Sequence, residues 1–313
     1  MLDFIGEAQG RRSQRAGAYT STENIRQMYD RGEDPQEALI ARGRELGIDV
    51  YASVRMNDNH FGGAQVADPG SLLKDHRVEE LRYEHPEWVL GERTAEWFAL
   101  SWNMAVPEIR KRRYDHVEEV ARRYDWDGIE LDWQRHAFHF PDDEGYRLRY
   151  LLTDLQRAIR RMTEALGAER GRPIYLAARV AGSLEMCRRI GYDLEAWIAE
   201  DLCDIIIGAG NSGTDPCFET EEFLRLVEGT DIQVYPGFDF DTRQQANRLI
   251  PHGQWRDRWF AGMAQGHFAR GAHGIYIFNW HANSTTRRES CLLYTSDAAD
   301  DTPCVDLGGR RII

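Results

Sequence analysis

The sequence predicts an α/β protein whose strands run parallel in a sheet or barrel. Three observations predict it. Six short runs (48–54, 128–133, 173–180, 204–208, 231–237 and 274–280) are nearly continuous in apolar residues, as strands covered on both faces are. Amphipathic segments at 34–46, 107–123, 145–166, 193–200, 219–228 and 256–270 separate them, so strand and helix alternate along the chain. The run 128–133 ends in carboxylates, the way a parallel α/β enzyme presents its reacting groups.

That run is the most informative. Upstream, Ile109, Val117, Val120 and Ala121 give residues 107–124 a helical apolar spacing, and Asp125-Trp126-Asp127-Gly128 turns the chain into the strand. Side chains alternate along a strand, so Glu130 and Asp132 share one face while Ile129 and Leu131 share the other. The following runs repeat the unit of strand then helix, and no low-complexity linker divides residues 30–289, which predicts one domain over 1–289. Residues 290–313 show neither helix nor strand period. They are similar to the translation of sequencing-adapter DNA carried into metagenomic assemblies, and are expected to be a non-native tail.

The chain has 313 residues, 42% hydrophobic and 29% charged, enough for one large core. A net charge of −13 argues against nucleic acid or an anionic membrane as the main partner. No apolar run approaches the ~18 residues of a membrane span. The five cysteines form no CxxC and no Cys/His ligand cluster, which reads as free buried thiols. Nothing in the sequence calls for a cofactor, and oligomeric state and compartment are not legible in it.

The order of the parts resembles a family. Asp34-Pro-Gln-Glu-Ala-Leu-Ile, Arg44-Glu-Leu-Gly-Ile-Asp-Val-Tyr-Ala-Ser-Val-Arg55 and Met56-Asn57-Asp58 resemble helix two and strand three of the glycosyl hydrolase-like family-ten proteins. His85-Pro-Glu-Trp88, Trp102-Asn103-Met-Ala-Val-Pro107, Asp127-Gly-Ile-Glu-Leu-Asp132, Tyr235-Pro-Gly237 and Gly274-Ile-Tyr-Ile-Phe-Asn279-Trp280 continue the likeness over roughly residues 30–285. The resemblance implies a (β/α)8 TIM barrel of glycosidase type, with strands three to eight recognisable. Such a barrel needs two strands before residue 48, and only Leu2–Ile5 offers a stub, so the barrel is expected to be incomplete at its N-terminus. A shorter likeness concerns strand four. Alpha-amylase-type barrels carry Asp-Gly-x-Arg-x-Asp-x-x-x-His, which places a nucleophile at Asp132 but an arginine where this chain has Glu130. Family-eighteen chitinases read Asp-Gly-x-Asp-x-Asp-x-Glu, and their acid falls on Gln134, which has no proton to give to a leaving group.

Glycoside hydrolysis uses two carboxyl groups. Glu130 and Asp132 have Cβ atoms ~6.5 Å apart on one strand face, and mutual repulsion raises one pKa and leaves the other acid ionised. Both lie on one strand, so a third acid is expected from Asp58 after strand three or Asp239 after strand seven. In the alternative reading Glu130 is a buried ion-pair partner of Arg55 or Arg179 and only Asp132 reacts. With Asp132 as nucleophile or base, Asp132→Asn is expected to lose several orders of magnitude in rate with the melting temperature nearly kept. Arg55, Asn57 and His60 after strand three, Arg135 and His136 after strand four, Arg179 on strand five, Asn211 in the strand-six loop, Tyr235 on strand seven, and Asn279 and Trp280 after strand eight are the candidate sugar contacts; loop capping and core packing are the alternatives. Trp102 and Trp133 are either sugar platforms or core.

Two competing functions remain. Asp58, His60, Glu130, Asp132 and His136 can be arranged as a metal-dependent hydrolase site, although His136 and His139 are wrongly spaced for one strand face. A carbohydrate-binding pseudo-glycosidase is the non-enzyme alternative, motivated by Gln134. The expected activity is hydrolysis of an O-glycosidic bond in a poly- or oligosaccharide.

Overall fold

In the computed structural model, residues 16–59, 79, 81–95, 98–209, 218–239 and 254–278 are described. Helix α1 (Ala16–Asp30) and helix α2 (Pro35–Leu46) lead into strand β1 (Tyr51–Arg55). A short turn of helix, α3 (Leu81–Glu84), precedes α4 (Pro107–Arg123) and β2 (Gly128–Asp132). The chain continues through α5 (Gly145–Arg170), β3 (Tyr175–Ala181), α6 (Leu184–Ile190), α7 (Leu194–Ala199), β4 (Ile205–Ala209), α8 (Thr220–Leu226), β5 (Gln233–Asp239), α9 (Gln254–Ala269) and β6 (Tyr276–Phe278). None of the described helices is long and apolar enough to cross a membrane.

All six predicted strands form. Of the helices, α1, the single turn α3 and α6 escape sequence reading. Helix α1 is braced by Arg26, which pairs with Glu23 and Asp30 at 2.6 Å each. Helix α6 is two turns long, started by Ser183 accepting the Met186 N–H and ended by Gly191. The long helices follow from their stripes. Helix α5 buries Leu148, Leu152, Leu155, Ile159, Met162 and Leu166 at spacings of three and four, each side chain contributing roughly 1.5–3 kcal/mol.

The strands are all parallel and lie in the sheet in chain order, β1 to β6, with no reversal. A doubly wound sheet would reverse at a switch point; consecutive order is how a barrel is wound. The outward residues Val54, Ile129, Leu131, Leu176, Ala178, Val180, Ile206 and Val234 share one core cluster with the helix stripes. The alternate residues Ala177, Ile205, Ile207 and Tyr235 pack with Tyr51 and Tyr276, which lie on strands β1 and β6 at opposite ends of the strand order. Large and small residues interlock there: a Cβ on Gly128 would come within 2.2 Å of the Tyr51 ring, and one on Gly274 within 2.6 Å of the Tyr235 ring.

The second cluster exists because the sheet curls. The Tyr276 hydroxyl lies 3.2 Å from Glu130 Oε1, although β6 and β2 are four strand steps apart. A flat sheet would hold these strands ~19 Å apart, with both side chains standing perpendicular to it. The ladder from Glu130 runs through Ala177 and Ile205 to Gln233, whereas Tyr276 pairs with Gly237. The two partners are thus offset by four residues over four strands, about the stagger of one residue per strand in a barrel of shear eight. The described sheet is a curled, six-stranded partial barrel; the tail at 290–313 and the stub at Leu2–Ile5 lie outside the described residues.

Candidate active site

The polar groups gather inside the curl, toward the C-terminal ends of β1, β2 and β3. Ladder register places Ser53 beside Glu130, and Arg55 and Arg179 on either side of Asp132. Glu130 is 6% exposed. Its Oε1 accepts from Ser53 Oγ at 2.7 Å and from the Tyr276 hydroxyl at 3.2 Å. Burial, reinforced by the charge of Asp132, lifts the Glu130 carboxyl to about 7; the Ser53 bond, the Arg179 charge and the Tyr276 bond oppose the rise.

Asp132 and Arg179 are each 1% exposed and form an ion pair, with Arg179 Nη1 2.7 Å from Asp132 Oδ1. The Arg135 backbone N–H also donates to Oδ1 at 2.9 Å. The other oxygen, Oδ2, is buried with no hydrogen-bond partner among the described residues. The sequence reading paired Arg179 with Glu130. The structure corrects this: Arg179 stands in register with Asp132, one ladder pair beyond Glu130 on the interior face, and hydrogen-bonds that carboxylate. Arg179 also lies over the Phe278 ring, 4.2 Å from its centroid, and Arg135 lies 5.5 Å from the same ring.

The remaining candidates divide. Arg55 and Asp58 form a half-exposed ion pair at 3.3 Å. Asp58 Oδ1 lies 3.3 Å from His136 Nδ1, and the Asp58 carbonyl accepts from Arg82 Nη2 at 2.7 Å. His136, at a positive φ of 58°, accepts the Asn59 N–H on Nδ1 at 2.9 Å, which leaves Nε2 as the ring's donor. Asn57, read from sequence as a sugar contact, is fully buried. Its Nδ2 donates to the carbonyls of Trp102 (3.0 Å) and Phe138 (2.6 Å), and its Oδ1 accepts the Trp102 N–H at 2.9 Å. It stitches three loops together. Tyr235 is likewise packed in the interior, its hydroxyl donating to Gln233 Oε1 at 2.8 Å. Asp239 ends β5 opposite Phe278, with its side chain outside the described residues. His60, Asn211, Asn279 and Trp280 also lie outside them.

Trp102 and Trp133 are core residues, not sugar platforms: both are buried, and Trp133 Nε1 donates to Gln156 Oε1 at 3.3 Å. Beneath Trp133, the Tyr192 hydroxyl donates to its carbonyl at 2.7 Å, and His139 Nε2 lies 3.0 Å from both that carbonyl and the Tyr192 oxygen. A carbonyl only accepts, so Nε2 carries the proton; burial pushes His139 down to about 4. Among the described residues, no group of three or more His, Cys, Asp or Glu is arranged to hold a metal ion.

Sequence reasoning missed Ser53, Tyr276 and Phe278. Ser53 was visible as the one serine inside the apolar strand runs. Tyr276 and Phe278 alternate on the last strand, but their meeting with β2 depends on the curl.

No family model and no curated protein matches the chain. Solved structures similar to it include a family-18 N-acetylglucosaminidase from Paenibacillus barengoltzii, at 12% identity over 79% of this chain and 99% of that one, with a TM-score of 0.41. They also include an α-galactosidase from Thermus thermophilus, at 16% identity over 82% of this chain and 48% of that one, TM-score 0.40. A 3-dehydroquinate dehydratase from Geobacillus kaustophilus matches at 12% identity over 54% of this chain and 56% of that one, TM-score 0.38. The chain thus spans about half the length of two of these three, and distant glycoside hydrolases stand among its structural neighbours beside an enzyme of other chemistry. Likeness at this level assigns no activity.

Proposed function

We propose that the protein is a glycoside hydrolase that cleaves an O-glycosidic bond of a poly- or oligosaccharide. The observation that carries the reading is the contrast between two acids on one strand face. Glu130 is held near 7, poised to give a proton, while Asp132 is engaged as the anion of a buried ion pair and keeps one oxygen unsatisfied. Glu130 protonates the glycosidic oxygen as the bond to the anomeric carbon breaks. Asp132 Oδ2 then either attacks that carbon or removes a proton from the attacking water. Asp58, at the half-exposed mouth, or Asp239, at the end of β5, assists from another strand. The fold that supports this chemistry is read as a (β/α)8 barrel, of which six strands are described.

A panel of defined oligosaccharides, assayed for new reducing ends, tests the reading. Turnover of at least one substrate that is lost in Glu130→Gln supports it. Turnover unaffected by Glu130→Gln and Asp132→Asn removes both acids from the mechanism. Carbohydrate binding without hydrolysis favours the pseudo-glycosidase, for which Gln134, buried with its Oε1 unpartnered, is the motivating residue.

A further inference from the structure

Just past Asp132, two buried polar side chains converge on one backbone carbonyl. The last register of the β2–β3 ladder pairs Asp132 with Arg179, so Trp133 lies one residue beyond it. Trp133 still donates its N–H to the Arg179 carbonyl at 3.1 Å. Its own carbonyl is taken by side chains: the Tyr192 hydroxyl donates to it at 2.7 Å, and His139 Nε2 lies 3.0 Å away. Tyr192 comes from the connection between α6 and α7, whereas His139 reaches back along its own loop. All three residues are buried, and their rings pack with Trp197 at centroid distances of 5.6 or 6.0 Å. Burying a hydroxyl and an imidazole is unfavourable unless both are bonded, and one donor already satisfies a carbonyl. A second donor restricts the plane of the peptide as well, because a carbonyl oxygen has two lone pairs. That peptide joins Trp133 to Gln134 and opens the turn in which the Arg135 N–H donates to Asp132 Oδ1 at 2.9 Å. Arg179 Nη1 meets the same oxygen at 2.7 Å.

We infer that Tyr192 and His139 are positioning residues for Asp132. By gripping the Trp133 carbonyl they hold the turn from Asp132 to Arg135, which commits Oδ1 to the Arg135 N–H and Arg179 and reserves Oδ2 for the reaction. The clamp is a matter of geometry alone; what the held carboxylate is for rests on the glycosidase reading. A clamp that only stabilised the core would leave the Arg135 bond and the rate of reaction untouched when loosened.

Two variants of the full chain each remove one donor and leave the other on the carbonyl: Tyr192→Phe, which keeps the ring, and His139→Met. Thr153→Val is the matched control. It removes the acceptor of the Trp197 Nε1–H, a buried bond of 3.0 Å in the same ring cluster, without touching the Trp133 carbonyl. Thermal melts identify the variants that fold, and either clamp variant suffices. Hydrogen exchange at the Arg135 amide is measured relative to Leu131 within β2, so that a global loss of stability does not enter the ratio. Tyr192→Phe and His139→Met should each speed Arg135 relative to Leu131 by about tenfold, the loss of one hydrogen bond, and Thr153→Val should leave the ratio unchanged. On any defined oligosaccharide that the wild type cleaves, the clamp variants should lower kcat by about tenfold or more with KM within about twofold, and the control should change neither. An exchange ratio unchanged in the folded clamp variants, or a kcat lowered no further than in Thr153→Val, overturns the inference. If the wild type cleaves none of the oligosaccharides, the glycosidase reading fails, and the exchange ratio alone decides whether the clamp holds Asp132.

Discussion

Tyr276 on the last described strand donates a hydrogen bond of 3.2 Å to Glu130 on the second, across the interior of the curl. The bond joins fold and chemistry. It forms only because the sheet curls, and it ends on the carboxyl group whose proton the proposed reaction needs. Ser53 donates to the same oxygen from the neighbouring strand, so both donors favour the ionised form and restrain a pKa that burial drives upward.

Replacing Tyr276 by Phe removes one of those restraints. The general acid must be protonated to work, so activity falls as pH rises through its pKa, near 7 in the wild type. Without the hydroxyl, the charged form loses a donor and that limb of the kcat/KM profile moves to higher pH. Ser53→Ala, which loses the shorter bond, should move it further. A limb that stays put in both variants would show that Glu130 is not the group being titrated.

The same burial predicts a pH-dependent stability with a defined sign. Glu130 titrates near 7 when folded against a reference of 4.5, so between these values the native state holds more protons and stability falls as pH rises. His139 is opposite: near 4 when folded against 6.5, it releases its proton on folding, and stability falls as pH drops through that window. Each shift corresponds to roughly 3 kcal/mol, and over the shared range the two nearly cancel. Glu130→Gln keeps an acceptor for Ser53 and Tyr276 but removes one titration. Urea unfolding should therefore find the variant gaining stability relative to wild type, by about 3 kcal/mol, from pH 4.5 to 7. A constant difference across that range would contradict the elevated carboxyl.

Much of this architecture was legible because parallel strands buried on both faces leave continuous apolar runs, and all six were readable, as was the stripe from Leu148 to Leu166. Glu130 and Asp132 were legible as a pair because alternation along a strand is local. What was not legible depends on register between distant segments. Nothing near Arg179 indicates that its ladder partner is Asp132 and not Glu130, because the two strands are separated by the whole of α5. Asn57 shows the same limit. A polar residue just past an apolar strand looks identical whether it faces a ligand or three backbone groups of other loops.

Asn57→Ala therefore tests scaffold against ligand contact. The variant leaves the buried N–H and carbonyl of Trp102 and the part-buried carbonyl of Phe138 without their Asn57 partner. A loss of about 3 kcal/mol in unfolding free energy is expected, since each stranded group costs about 1–3 kcal/mol. Affinity for a bound oligosaccharide, measured by calorimetry below the variant's melting range, should stay within a few-fold of wild type. A stable variant with sharply weakened binding would return Asn57 to the sugar site.

Asp132→Asn will not keep the melting temperature that the sequence alone leads one to expect. Its carboxylate neutralises Arg179, which is 1% exposed and stacked on Phe278. Asparagine retains an oxygen for the Arg135 N–H but leaves the guanidinium without that counter-charge, and breaking a buried pair from one side costs about 3–5 kcal/mol. The variant should lose both turnover and stability, so a simple activity assay confounds the two. Adding Arg179→Met separates them. The double variant removes the stranded cation and replaces it with an apolar chain of similar length against Phe278. It should recover most of the lost melting temperature, because a buried ion pair is often matched by apolar packing. Turnover should remain absent, since no carboxylate has been restored at position 132. A single variant as stable as wild type would refute the ion-pair account, and a folded double variant that regains activity would remove Asp132 from catalysis.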